Sequence, residues 1–429
     1  MSDQDDLLRR AEDVLPGGVF GSNRSGPGLE FVVREGRGAY LWDMSGRRYL
    51  DYLLGSGPML LGHAHPAVVE AVERQLARGT SYFLLNEPAI QLAEEIVRAV
   101  PCAEQVRYTS SGSEATFFAL RVARAFRKRD KIMKFEGGFH GTHDYALMSV
   151  VPRSPKAFPA PMTDSAGVPH AIEGEVLVAP YNDLATAEAL IAAHHDELAA
   201  VLIEPYQRTI VPAPGFLQGL RAATRRYEVP LVFDEIVTGF RFAYGGAQEF
   251  YGVVPDLAAF GKIIGGGFPL AAVVGREEIM RQLAPEQERV GGQVQQAGTL
   301  NGNPIACAAG LATLAELRKP GTYERLFRTG NRIKSALQEA ARAAGFHAQV
   351  AGEAPVFEIY FTDQPISDYR ATLTADTALH AAFTRALLER GIVKAAQKIY
   401  VSLAHGEEEI QQTVQVFTAA FAAVAEHRR

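Results

Sequence analysis

Two residues of this chain are spaced for work on a small flat molecule. Asp234 ends the apolar run Leu231-Val232-Phe233, and 28 positions later Lys262 stands in the turn Gly261-Lys262-Ile263-Ile264-Gly265-Gly266-Gly267. A carboxylate at the end of a central strand is costly to desolvate unless it meets a charged partner. A protonated pyridine nitrogen is such a partner. A lysine bedded among glycines and apolar residues loses part of its hydration, which favours the neutral amine needed to form a Schiff base with an aldehyde. Taken together the pair predicts pyridoxal 5'-phosphate (PLP), with Asp234 on the ring nitrogen and Lys262 on the aldehyde. A solvated loop lysine is the plainer alternative for Lys262.

Further stretches carry groups that suit the same molecule. Ser110-Ser111-Gly112-Ser113-Glu114 lies between a strand and a helix, where backbone N–H groups and the helix dipole receive a phosphate. The same residues also make an ordinary helix N-cap. Phe135-Glu136-Gly137-Gly138-Phe139-His140-Gly141 puts an aromatic between glycines at a strand end, suited to lying over a flat ring or to filling a core. Glu204 closes another apolar run, as a ligand contact or a solvated strand end, and Ile236 or Val237 would support the ring opposite Phe139. Gln296-Ala297-Gly298-Thr299-Leu300-Asn301-Gly302-Asn303-Pro304 is a second polar, glycine-rich entry to a helix that could complete the phosphate site.

These groups need a scaffold that gathers strand ends. From Glu87 to about Leu270, helical stretches alternate with short apolar runs at 105–109, 131–135, 176–179, 200–203, 231–233, 257–260 and 271–274. Such alternation predicts an α/β fold with a large, doubly wound, mostly parallel sheet, whose ligands sit beyond the carboxyl ends of the strands. Before it, three strand-like runs between Phe31 and Leu53 read as an antiparallel meander. After it, long helices from Ile305 and Tyr323 lead to a smaller α+β region, with a polar loop from Phe361 to about Thr374. The expected boundaries are 1–60 for an N-terminal segment, 61–318 for the large cofactor domain and 319–429 for the C-terminal small domain. The Ser/Pro-rich piece 151–170 reads as an irregular loop over the site.

Composition narrows the class. A net charge of -6 built from interspersed charges excludes a nucleic-acid-binding surface, and no apolar run is long enough for a membrane span. Cys102 and Cys307, the only cysteines, give no disulfide framework and no zinc site, and the charged opening residues are no signal peptide; the expected compartment is the cytosol. His63 and His65 stand before a helix with no further ligand at metal spacing, so they read as shaping that helix start, and no metal is expected.

Taken in order, Ser111-Gly112-Ser113-Glu114-Ala115, Phe135 to Gly141, Phe233-Asp234-Glu235-Ile236-Val237-Thr238-Gly239-Phe240-Arg241, Gly261 to Gly267 and Gly298 to Pro304 resemble the motif series of class III aminotransferases. The resemblance runs from about Pro16 to Glu409. It implies the fold type I PLP architecture, with the small domain built from both chain ends, and a homodimer with shared active sites. It also implies roles: Lys262 as Schiff-base lysine and general base, Asp234 as pyridine partner, Ser111, Gly112 and Ser113 at the phosphate, and Phe139 on the ring. His140, Glu204 and Ile236 line the cofactor, and Thr299 reaches the phosphate of the neighbouring subunit.

Two subgroups are similar. Tyr49-Leu50-Asp51-Tyr52, Gly62-His63-Ala64-His65-Pro66 and Ser402-Leu403-Ala404-His405 resemble glutamate-1-semialdehyde aminomutases, from which the chain departs at Ser56 (a pocket tryptophan there), Phe139 (a tyrosine) and Gln397 (an acid). The β-amino acid transaminases bind substrate carboxylate with an arginine in the loop where Arg24 stands, a loop in which the aminomutases also have an arginine and in which a solvated residue is the plainer reading. No arginine matches their C-terminal acceptor site, where Lys394 and Lys398 are the nearest cations and a lysine is not equivalent. The sequence therefore predicts a PLP-dependent transaminase moving an amino group between an amino acid or amine and a keto acid or aldehyde. A β-amino acid is the leading substrate, Arg24, Ser56 and Gln397 are the substrate residues, and the aminomutase is the alternative. A dinucleotide-binding α/β protein, the reading from another class, lacks its glycine fingerprint and ribose-binding acid.

Overall fold

The apolar runs in the middle of the chain form one seven-stranded sheet, in the order 105–109, 271–275, 257–260, 231–234, 198–203, 131–135, 176–179. Every pairing from 257–260 outward to 176–179 is parallel, and only Ala271–Gly275 runs against its two neighbours. The strands read as continuous apolar runs because both faces are covered. On one face Ile132, Val178, Ala200, Leu202, Val232 and Ala259 pack against Ala115, Ala119, Leu120 and Ala123 of the helix Gly112–Arg127. The residues that alternate with them, among them Met133, Val201, Phe233 and Ala258, are equally buried on the other face.

The structure, a computed structural model, describes residues 3–21, 30–290 and 292–426. It falls into two units. The sheet unit comprises Ala67–Pro320 together with the short segment Ile366–Ala371, and the second unit comprises Met1–Pro66, Gly321–Pro365 and Thr372–Arg429. In the second unit the expected meander is present: Val33–Arg37, Tyr40–Asp43 and Arg48–Tyr52 pair antiparallel, and Ile392–Lys394 from the far end of the chain joins them in parallel. A three-stranded sheet, Gln349–Glu353, Val356–Tyr360 and Ile399–Tyr400, stands in the same unit with the helices Thr322–Ala343, Thr377–Glu389 and Glu407–Glu426.

Three features depart from the sequence reading. The stretch read as a polar loop to Thr374 contains the helix Tyr369–Thr372, which Asp368 caps through a bond from Ala371 N. A helix at Gly246–Tyr251 begins where the Glu235 carboxylate, eleven positions upstream, accepts from Ala247 N (2.6 Å) and Gln248 N (3.3 Å). The strand Gln349–Glu353 forms on a segment with little strand propensity of its own.

Candidate active site

Apart from Thr299, the chemically singled-out residues of the sheet unit lie at or just beyond the carboxyl ends of its strands. Thr109 runs into Ser111-Gly112-Ser113, Phe135 into Phe139-His140, Ile203 into Glu204 and Phe260 into Lys262, while Asp234 closes its own strand. Parallel strands thus deliver separated sequence segments to one edge.

Ile236 measures how closely three of these segments approach. A Cβ built on Gly112 would stand 3.1 Å from Ile236 Cδ1, and one on Gly261 would stand 3.0 Å from the same atom. The phosphate-loop candidate and the turn carrying Lys262 therefore meet across the side chain that follows Asp234. Gly141 adds a fourth segment: it has φ +92°, and a Cβ there would lie 2.6 Å from Ser113 Cα. Ser113 Oγ accepts from Thr142 N at 3.1 Å, and Thr116 Oγ1 donates to His140 O at 2.6 Å.

Asp234 is buried, and its two oxygens have separate tasks. Oδ1 accepts from Ile236 N (3.1 Å), while Oδ2 lies 2.8 Å from His140 Nδ1. Burial, with the Lys134 charge adding to it, pushes His140 down to about 3, so the ring is neutral and Nδ1–H donates to the carboxylate. His140, expected to line the cofactor, thus stands against Asp234 and orients it. Lys262 opens a short 3-10 turn, Lys262–Gly265, at φ +50°, a conformation unusual for a residue with a side chain.

Phe139 keeps 43% of its surface exposed. Its backbone is fixed: Phe139 N donates to Glu204 Oε1 (2.7 Å), and Glu204 Oε2 accepts from Arg208 N (3.1 Å). Glu204 is accordingly an anchor of the loop backbone. Arg208 and Lys134, which sequence reading passed over, complete the support. Arg208 Nε donates to Gly137 O (3.0 Å) with its guanidinium 5.2 Å from the Phe139 ring. Lys134 is fully buried and donates to the carbonyls of Gly138, Ala146 and Met148, and burial pulls it down to about 7. The one available signal for Lys134 was a lysine between the apolar Met133 and Phe135 of a strand.

The plainer reading holds for the Ser111 side chain. Ser111 Oγ accepts from Glu114 N and donates to Glu114 Oε2 (2.9 Å), while Ser110 N donates to the same carboxylate oxygen (3.1 Å), a capping box that uses the hydroxyl. Gly112 and Ser113, at the first turn of a 16-residue helix, offer the backbone N–H groups. Thr299 is exposed in a loop fixed at both ends, by Gln296 Nε2 to Tyr108 O (2.9 Å) and Asn86 Nδ2 to Gly302 O (3.0 Å).

The substrate candidates of the second unit stand as follows. Ser56 is exposed at φ +66° in the turn Leu54–Ser56, and Gln397 is exposed at the tip of the turn bridged by Ala395 and Lys398. Lys394, one of the two cations nearest the C-terminal loop in sequence, is turned inward, where Nζ donates to Glu358 Oε2 at 2.7 Å. Lys398 lies over the Tyr400 ring. His63 is taken by Asp51 Oδ2 at 2.7 Å, and among the described residues no group of three or more His, Cys, Asp or Glu is placed to hold a metal. Arg24 lies outside the described residues.

The profile of the family described as aminotransferase class-III matches residues 21–421. The chain belongs to the class III aminotransferases. A glutamate-1-semialdehyde 2,1-aminomutase from Pelotomaculum thermopropionicum is 45% identical over 98% of both chains. Among solved structures, an omega-transaminase from Sphaerobacter thermophilus matches with a TM-score of 0.92 and 38% identity over 99% of this chain and 98% of that one. A β-phenylalanine aminotransferase from Variovorax paradoxus matches with a TM-score of 0.87 and 29% identity, covering 98% and 94%.

The protein is thus a PLP-dependent enzyme of fold type I. The residues present fit the cofactor: a glycine cradle at a long helix N-terminus for the phosphate, an acid at a strand end for the ring nitrogen, an exposed aromatic side chain and a lysine in an adjoining turn. Of the two finer readings of the sequence, the names of the curated relatives favour the aminomutase over the transfer between two molecules.

Proposed function

We propose that the protein is an aminomutase of the glutamate-1-semialdehyde type, exchanging the amino and carbonyl functions of neighbouring carbons within one small carboxylated amino-aldehyde. The 45% identity to such an enzyme over 98% of both chains carries this reading. Net isomerisation needs no second substrate. Bound PLP supplies the electron sink that stabilises negative charge at the substrate carbon. Asp234, oriented by His140, holds a proton on the ring nitrogen; Gly112 and Ser113 bind the phosphate through backbone N–H groups; Phe139 covers one ring face, and Ile236 supports the other. Lys262 anchors the cofactor and, as free amine, carries the proton from the substrate carbon to its new position. The test is to incubate glutamate 1-semialdehyde alone with the enzyme and follow the product by NMR. Appearance of the 1-amino-2-oxo isomer supports the reading.

A second reading is favoured by the similarity to the omega-transaminase and by the small or neutral residues at Ser56, Phe139 and Gln397. It is transfer from a β-amino acid to a keto acid, with Arg24 binding the donor carboxylate. Turnover of such a pair, with no isomer formed from the semialdehyde, would establish it and overturn the first.

The same reading includes a homodimer in which Thr299 reaches the partner's phosphate site. Supporting it, Tyr82, Phe83, Leu84 and Leu85 form an exposed apolar run, Leu85 at 92% exposure. Asn303 Nδ2 to Thr80 O (2.9 Å) and Asn86 Nδ2 to Gly302 O tie that run to the Thr299 loop. Two buried, unpaired cysteines support a cytosolic location, and among the described residues no helix is long and apolar enough to cross a membrane.

A further inference from the structure

We propose that Tyr369 and Arg370 are positioning residues for Phe139, fastening the strand-end segment Glu136-Gly137 to the loop that begins at Val151. This rests on the reading that places Phe139 at the cofactor. The segment Ile366–Ala371 belongs to the sheet unit, although its sequence neighbours on both sides belong to the other unit. Asn182 Nδ2 secures its start by donating to Ser367 O at 2.8 Å.

Arg370 grips Glu136 with a fork, Nε to Oε2 at 2.7 Å and NH2 to Oε1 at 3.0 Å, and only 5% of the Glu136 side chain is exposed. The same NH2 donates to Lys156 O at 2.7 Å, and the guanidinium stands 4.3 Å from the Phe158 ring. One cation therefore joins the stem of the Phe139 loop to the irregular loop. Tyr369 repeats the connection. A Cβ on Gly137 would lie 2.6 Å from Tyr369 Cβ, so the tyrosine occupies the space that only glycine leaves, and Tyr369 Oη donates to Pro152 O at 3.3 Å. From the opposite side Gln207 Nε2 donates to Glu136 O (2.8 Å) and Arg208 Nε to Gly137 O. The segment Glu136-Gly137, two to three residues before Phe139, is thus clamped between two independent sets of groups.

A two-pronged charged bond to a buried carboxylate is the strongest of these contacts, and without it Glu136 is left buried and unpaired. Loosening the clamp should free the 151–158 stretch and let Phe139 drift, while the Gln207 and Arg208 bonds keep the strand end in place.

Trypsin reads the first effect on the PLP-loaded enzyme, because Arg153 and Lys156 lie exposed in the fastened stretch. Arg370→Gln and Glu136→Gln are each expected to speed cleavage after these residues roughly tenfold. The double variant should be no faster than either single one. Arg370→Lys, which keeps the charge and loses the fork, should fall between, and Arg332→Gln, which breaks an exposed pair with Glu407, should cleave like the parent. KM for the amino substrate should rise in Arg370→Gln by a larger factor than kcat falls. Equal cleavage rates in the parent, Arg370→Gln and Glu136→Gln overturn the proposal. Should Arg370→Gln fail to fold, Tyr369→Phe removes the bond to Pro152 O and leaves the ring in place; a two- to threefold faster cleavage, on the order of one weak hydrogen bond, supports the clamp and no change overturns it. Phe139→Ala separates the underlying reading: an unmoved PLP absorption band there removes Phe139 from the ring, while the digestion still judges the clamp.

Discussion

Asp234 and Lys262 stood out in the sequence because each breaks a local rule: an acid at the end of an apolar strand, and a lysine among glycines and apolar residues. What stands behind them was not legible. His140 is 94 residues from Asp234, and nothing in either motif announces the 2.8 Å contact that folding creates. If His140 acts only through Asp234, the two positions differ in severity. Asp234→Asn should lower single-turnover rates by on the order of 10²–10³, as for loss of a charged partner at the reacting ring. His140→Asn should lower them about tenfold, since the carboxylate remains. Stopped-flow decay of the PLP band on adding amino substrate measures both, and equal losses would mean that His140 works directly on the ring.

At the scale of elements, the sheet was read from its apolar runs, since burial on both faces leaves an unbroken signature. The helix Gly246–Tyr251 escaped because its start is set by Glu235 from an earlier loop, and the strand Gln349–Glu353 because pairing with Val356–Tyr360 creates it. Ser111 is ambiguous in sequence, and in the structure its hydroxyl bonds to Glu114. As a cap, its replacement by Ala should cost about 1 kcal/mol in urea unfolding, with PLP affinity nearly unchanged. A large loss of PLP affinity at unchanged stability would return the hydroxyl to the phosphate. Lys394, one of the two cations nearest the C-terminal loop in sequence, is drawn away from it: the strand Ile392–Lys394 turns its last side chain inward to Glu358. The Lys394 charge, with His380, holds the Glu358 carboxyl below its usual range against the cost of burial. Lys394→Met should therefore destabilise the fold by roughly 3–5 kcal/mol, measured as a lower urea midpoint, because it strands a buried carboxylate.

For the whole molecule, burial holds several histidines neutral. It pushes His140 and His143 down to about 3 and His405 to about 4. Unfolded histidine titrates near 6.5, so between there and the folded values the unfolded chain binds more protons. Stability must then fall as pH drops below about 6.5. Glu235, raised by burial to about 7, acts in the opposite sense between the unfolded glutamate value and 7, and it is one group against three. Urea midpoints should fall from pH 7 to pH 5, by a balance on the order of 1–2 kcal/mol per histidine; a rise would contradict the assigned protonation states. The most direct measurement of the whole account is chemical. Borohydride reduction of the PLP-loaded enzyme, followed by tryptic digestion and mass spectrometry, should find the pyridoxyl group fixed on Lys262, with none on the other lysines and none incorporated in Lys262→Ala. A label on Lys134 or any other lysine, or no label at all, would contradict the site described.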